Sequence, residues 1–139
     1  MGRILAIDYG SKRCGLAVTD PTQTIATALE TVATATLLDY LTGYISREPV
    51  ERFILGEPKR LNNTLSATTE MVHRFGQLLA TRFPNIPVQL YDERFTSKMA
   101  SQSLLESGQS KKTRRDKSIL DQVSATILLQ DYLNSIPKP

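Results

Sequence analysis

The sequence predicts an α/β domain. Three strand-like runs joined by short turns open the chain, and helical periodicity then alternates with short apolar runs. The composition agrees: 139 residues, 40% hydrophobic and 22% charged, are enough for one well-formed core, so residues 1–139 are expected to form a single domain.

The first strands are expected over residues 3–8, 14–19 and about 24–32, with turns at Tyr9 to Arg13 and Asp20 to Gln23. Together they read as an antiparallel meander. Leu37, Leu38, Leu41, Tyr44 and Ile45 recur at helical spacing, and Pro49 ends that helix before the buried run Phe53 to Leu55 and Gly56. A helix followed by a buried strand implies a parallel crossover. Met71, Val72, Phe75, Leu78 and Leu79 mark the next helix, Phe83-Pro84-Asn85 breaks it, and Ile86 to Tyr91 supplies a fifth strand that runs into Asp92-Glu93-Arg94. Thr96 or Ser97 caps a third helix that Gly108 ends, and Ile119 to Leu133 forms a fourth after a basic linker. Pro137 to Pro139 reads as a loose tail.

Carboxylates stand where strands end. Asp8 follows the apolar run Ile4 to Ile7 and precedes Gly10. An ionised carboxylate beside buried apolar surface is costly unless a cation or hydrogen-bond donors compensate it, so Asp8 is a candidate metal or phosphate site. An Asx turn closing the hairpin is the competing reading. Asp92-Glu93 at the end of the fifth strand come second, and Asp121 is the third carboxylate of interest, because Asp121, Ala125, Leu128 and Tyr132 are spaced by four, three and four and share the apolar side of their helix. Asp131, Asp116 and Glu106 read as solvated.

Several classes drop out. No apolar run approaches the roughly 20 residues that span a bilayer, and the start lacks a signal-type core, so a cytoplasmic protein without a membrane partner is expected. One cysteine, Cys14, and one histidine, His73, exclude an internal disulfide and a zinc site of several Cys or His ligands. Cys14 reads as a small buried residue and His73 as a surface or packing residue. Any metal must therefore be a hard, oxygen-seeking ion such as Mg or Mn.

Three segments carry a family resemblance. Ala6-Ile7-Asp8-Tyr9-Gly10-Ser11-Lys12-Arg13-Cys14-Gly15-Leu16-Ala17-Val18-Thr19-Asp20 resembles the opening motif of the YqgF family, also called RuvX, of pre-16S rRNA nucleases. Asp92-Glu93-Arg94-Phe95-Thr96-Ser97 resembles its Asp-Glu-Arg segment, and Leu120 to Ala125 followed by Ile127 to Leu133 resembles its C-terminal helix. The matches span residues 4 to 133 in the family's order and spacing. The resemblance implies a ribonuclease H-like fold related to the resolvase RuvC, with a mixed five-stranded sheet in order 3-2-1-4-5 flanked by helices. Asp8, Glu93 and Asp121 then map to the catalytic, metal-binding acids. Asp92 is the weaker choice of its pair, because successive strand residues point to opposite faces.

Metal-assisted phosphodiester hydrolysis with Mg or Mn follows from the resemblance, with precursor 16S rRNA as the expected nucleic-acid partner and a monomer or weak homodimer as the expected state. Ser11, Lys12 and Arg13 beside Asp8, Lys59 and Arg60 in the Gly56 to Thr64 loop, and Arg94 are candidate phosphate contacts, although a solvated hairpin and a plain strand-to-helix connection would look the same. Lys111, Lys112, Arg114, Arg115 and Lys117 set five basic residues against Asp116, although the chain carries only +3 overall. A solvated linker is the bland reading of that run. No aromatic residue is interleaved there, so base stacking and sequence readout are not expected. A Holliday junction resolvase, a nucleic-acid-binding transcription or ribosome-assembly factor with a vestigial site, and an actin-like ATPase or sugar kinase remain as alternatives. The last would need a second jaw that 139 residues do not supply.

Overall fold

A computed structural model describes residues 2–57, 67–92 and 117–135. The expected helix over 96–108 lies outside them. Strands β1 (Arg3–Asp8), β2 (Arg13–Thr19) and β3 (Ala26–Ala33) are followed by a 3-10 turn (Thr34–Thr36), α1 (Leu37–Arg47), β4 (Val50–Glu57), α2 (Ala67–Arg82), β5 (Val88–Asp92) and α3 (Lys117–Ser135). The strands form one mixed sheet in the order β3-β2-β1-β4-β5, as the resemblance implied. β2 is antiparallel to β1 and β3, whereas β4 is parallel to β1 and to β5.

Some boundaries differ from the sequence reading, each for a local reason. β3 starts at Ala26 because the Asp20 carboxylate accepts the backbone N–H groups of Thr22, Thr24 and Ile25 and the Thr22 hydroxyl, holding that stretch as a turn. The Thr22 hydroxyl, then the Ile25 and Thr24 amides, hold the Asp20 carboxyl well below the usual carboxylate range. Gln23, at φ 59°, makes the reversal. β4 starts at Val50, earlier than its apolar run, because the backbone pairs Arg3 with Val50 and Ile4 with Arg52. The polar side chains of Glu51 and Arg52 conceal that start from any search for apolar residues. Lys117, expected in the basic linker, instead opens α3.

Alternation along the strands divides the core into two layers. Leu5, Ile7, Cys14, Leu16, Val18, Phe53 and Leu55 pack with Leu37 and Leu41 of α1 and with Val72, Phe75 and Leu79 of α2. Ile4, Ala6, Ala17 and Ile54 pack on the other side with Ala125, Leu128, Leu129, Tyr132 and Leu133 of α3. Sandwiched on both faces, β1 is apolar at every position from Ile4 to Ile7, as expected of a central strand buried on both sides between antiparallel β2 and parallel β4.

Two substitutions test this arrangement. Leu128 is fully buried between α3 and the sheet. Leu128→Ala is expected to cost about 2–5 kcal/mol in urea unfolding, through lost transfer energy and a residual cavity. A Cβ on Gly10 would lie 2.4 Å from the Arg13 carbonyl oxygen. Gly10→Ala must therefore shift the β1–β2 turn, and a stability loss of about 1–3 kcal/mol is expected in the same measurement.

Candidate active site

Asp8 is the last residue of β1 and is half-buried. It follows Ile4 and Ala6 in the two-residue alternation, so it belongs to the face that α3 covers. Gly15 stands opposite it on β2, and Gly56 follows the Ile7–Leu55 pair on β4. Thus neither neighbouring strand presents a side chain at the level of Asp8. Glycine at such positions suits close approach of a ligand or another backbone.

α3 packs across this face and is tied by polar side chains to both edge strands, β3 and β5. The side chain of Gln130 accepts the N–H of Ala26, at the start of β3, at 3.2 Å. Tyr132 donates from its hydroxyl to Gln89, near the start of β5, at 3.3 Å. Ala26 lies at the end of the sheet away from Asp8, so with Gln130 held there a rise of about 1.5 Å per residue leaves room for the first turns of α3 to reach the Asp8 end. Position 121 lies in this N-terminal part, one turn before the buried Ala125.

β5 delivers the other acidic segment. Asp92 is its last residue and pairs in register with Glu57. Glu93 lies outside the described residues, as do Lys59, Arg60, Arg94, Lys111, Lys112, Arg114 and Arg115. Gln89 and Tyr91 face α3: Tyr132 bonds Gln89, and the Tyr91 ring meets Tyr132 edge-on at 5.8 Å. The Tyr91 hydroxyl donates to Asp131 at 2.7 Å, and Arg52 donates to Gln89 at 2.8 Å. Asp131 is exposed, as its solvated reading expected, yet it also ties α3 to β5. Sequence periodicity contains no signal for that link, because both partners lie at the margin of their apolar faces.

The turn after Asp8 is held from the opposite face. Tyr9 stacks on Phe75 with ring centroids 4.6 Å apart, and burial, followed by the neighbouring Cys14, pushes its phenol pKa up. Ser11 and Lys12 are exposed, and Arg13, which begins β2, is partly buried. Cys14 is fully buried, as expected, and His73 lies exposed on α2. Both belong to the α1–α2 side of the sheet, away from the Asp8 face. The described residues contain no cluster of three or more His, Cys, Asp or Glu side chains able to hold a metal. The donor that they do supply on the α3 face is a carboxylate oxygen, which fits a hard divalent cation and not a thiolate or imidazole site. No described helix is long and apolar enough to cross a membrane.

Comparisons with known proteins agree with this layout. A family profile described as "RuvX: Holliday junction resolvase" matches residues 2–135. A Porphyromonas gingivalis protein named "Putative pre-16S rRNA nuclease" is 56% identical, covering 97% of this chain and 98% of its own. A protein of the same name from Bacteroides thetaiotaomicron is 50% identical over the same shares. Among solved structures, Thermus thermophilus RuvC in complex with a Holliday junction substrate superposes with a TM-score of 0.59 at 17% identity, covering 97% of this chain and 98% of that one. That likeness establishes a ribonuclease H-like fold. With the profile match and the close relatives spanning nearly its whole length, the chain belongs to the RuvX family.

Proposed function

We propose that this chain is a divalent-metal-dependent nuclease acting on precursor 16S rRNA, with Asp8, Glu93 and Asp121 as its metal-binding and catalytic carboxylates. The observation that carries the reading is the place of Asp8, at the end of a doubly buried central strand and on the face that α3 covers. A carboxylate there is held by a rigid element rather than a loop, which suits chemistry that needs fixed ligand geometry. The relatives' names supply the substrate class, and the basic residues agree with it.

The alternation of β5 supports Glu93 over Asp92. Gln89 and Tyr91 face α3, and the next residue in that series is Glu93. For α3, the tie of Gln130 to Ala26, at the end of the sheet away from Asp8, favours Asp121 over Asp131 as its acid at the site. Three carboxylates brought together without a counter-ion would repel one another, so this assignment carries a need for cation binding.

Magnesium or manganese held by Asp8, Glu93 and Asp121 would supply Lewis acidity toward the phosphoryl oxygen and toward the attacking water. The chain's own groups bind and orient. Ser11 and Lys12, exposed beside Asp8, offer a hydroxyl donor and a positive charge to a phosphate oxygen. Arg13, Lys59, Arg60, Arg94, Lys111, Lys112, Arg114, Arg115 and Lys117 would add charge along the RNA backbone. Such contacts give affinity that falls with salt and carries little sequence preference.

The family's description as a Holliday junction resolvase favours a second reading in which branched DNA is cleaved by the same acids. One experiment addresses both readings. Purified protein is incubated with a precursor 16S rRNA fragment or a four-way DNA junction, with Mn or with chelator. Mn-dependent cleavage of the RNA is expected. Asp8→Asn, Glu93→Gln and Asp121→Asn should each lower it roughly a hundredfold or more while the circular-dichroism spectrum is kept, whereas Asp92→Asn should stay within about threefold of the parent. Cleavage of the junction alone would move the substrate to DNA. An inactive Asp92→Asn beside an active Glu93→Gln would reverse the assignment of that pair.

A further inference from the structure

We propose that Thr34 is a positioning residue that holds the Ser11–Lys12 turn in place to receive a phosphate of the nucleic acid, an inference that rests on the reading of Asp8 as part of the catalytic site. Thr34 is the first residue of the 3-10 turn that follows the edge strand β3. It touches the β1–β2 turn twice. Its hydroxyl donates to the Gly10 carbonyl at 2.7 Å, and its backbone N–H donates to the Lys12 carbonyl at 3.0 Å. The Cys14 sulfur lies 3.3 Å from the Thr34 hydroxyl oxygen and 3.8 Å from the same Gly10 carbonyl, which closes a three-membered polar cluster.

The geometry of these ties matters more than their number. Cys14 belongs to the α1–α2 layer, the side of the sheet opposite Asp8. Tyr9, stacked on Phe75 of α2, approaches from that side as well. The turn is therefore gripped from behind at Tyr9, Gly10 and Lys12, while Ser11 and Lys12 themselves remain exposed. Both bonds from Thr34 end on main-chain carbonyls, so they fix the path of the backbone and leave the serine hydroxyl and the lysine ammonium available to a ligand. A short hairpin connection needs no such anchor to close. The anchor lowers the freedom that the turn would otherwise lose when a phosphate binds, which is how preorganisation raises affinity.

The test compares Thr34→Val with Thr34→Ser in the full chain. Valine keeps the branched shape and the backbone bond to Lys12 but deletes the hydroxyl, whereas serine restores it. Three measurements are made: affinity for a labelled single-stranded RNA in Mn at low salt, cleavage kinetics giving kcat and KM, and amide exchange over residues 10–13. For Thr34→Val, RNA affinity should fall and KM should rise roughly two- to tenfold, the span expected for one net hydrogen bond, while kcat stays within about twofold. Amide exchange over residues 10–13 should quicken by a similar factor, and Thr34→Ser should match the parent in all three. Mn binding, measured calorimetrically without RNA, should be unchanged.

Unchanged RNA affinity in Thr34→Val despite faster exchange would make Thr34 a purely structural tie and overturn the proposal. Equal losses in Thr34→Val and Thr34→Ser would overturn it too, because the hydroxyl would not be the active element. Should Thr34→Val not fold, Thr34→Ala is judged by the same criteria. A parent that binds RNA without Mn-dependent cleavage would remove the nuclease reading, and the affinity comparison would still decide the role of Thr34. A parent that binds no RNA would overturn both.

Discussion

β1 is covered on both faces, and the two-residue alternation of its side chains sends Leu5 and Ile7 into one layer and Ile4 and Ala6 into the other. Asp8 inherits the second direction. A slip of one residue in this strand would exchange the two layers and move the carboxylate to the α1–α2 side, so the apolar residues before Asp8 also determine where it points. Antiparallel pairing with β2 and parallel pairing with β4 fix that register from both edges. The same strand thus sets both the packing of the two layers and the direction of the proposed catalytic carboxylate.

The other layer depends on α3. Ala125, Leu128, Leu129, Tyr132 and Leu133 seat it on Ile4, Ala6, Ala17 and Ile54, and polar bonds from Gln130, Asp131 and Tyr132 tie its C-terminal half to β3 and β5. These ties leave the helix little freedom to slide. On the opposite side the turn that follows Asp8 rests on Phe75 and Thr34. The two layers therefore differ in role under the proposed function: one carries the face assigned to the cation, and the other supports the backbone beneath it.

Much of this could be read from the residues because burial writes itself into periodicity. The continuous apolar run before Asp8 marked β1, and the four-three-four spacing along α3 marked the stripe that is buried at Ala125, Leu128 and Tyr132. Asp8 was visible because a charge at the end of such a run is expensive. Features that rest on main-chain geometry were not visible. Glu51 and Arg52 belong to β4 through backbone pairing alone, and Asp20 delays β3 by drawing three amides into a turn. Thr34 carries no periodic or charge signature, since its role depends on two carbonyls more than twenty residues away in sequence. The sheet order came from family resemblance, because strand periodicity does not encode which strands are neighbours.

On the proposed function, a divalent cation binds on the α3 face at the end of β1. This binding is tested most directly by titrating the isotopically labelled full chain with Mn and following paramagnetic broadening of the backbone amide signals. Broadening is expected to begin at Asp8, Gly15 and Gly56 and to reach the Asp20 turn, at the other end of the sheet, last. Broadening centred on His73, or on the Asp20 turn with Asp8 and its two glycine neighbours unaffected, would contradict that binding site.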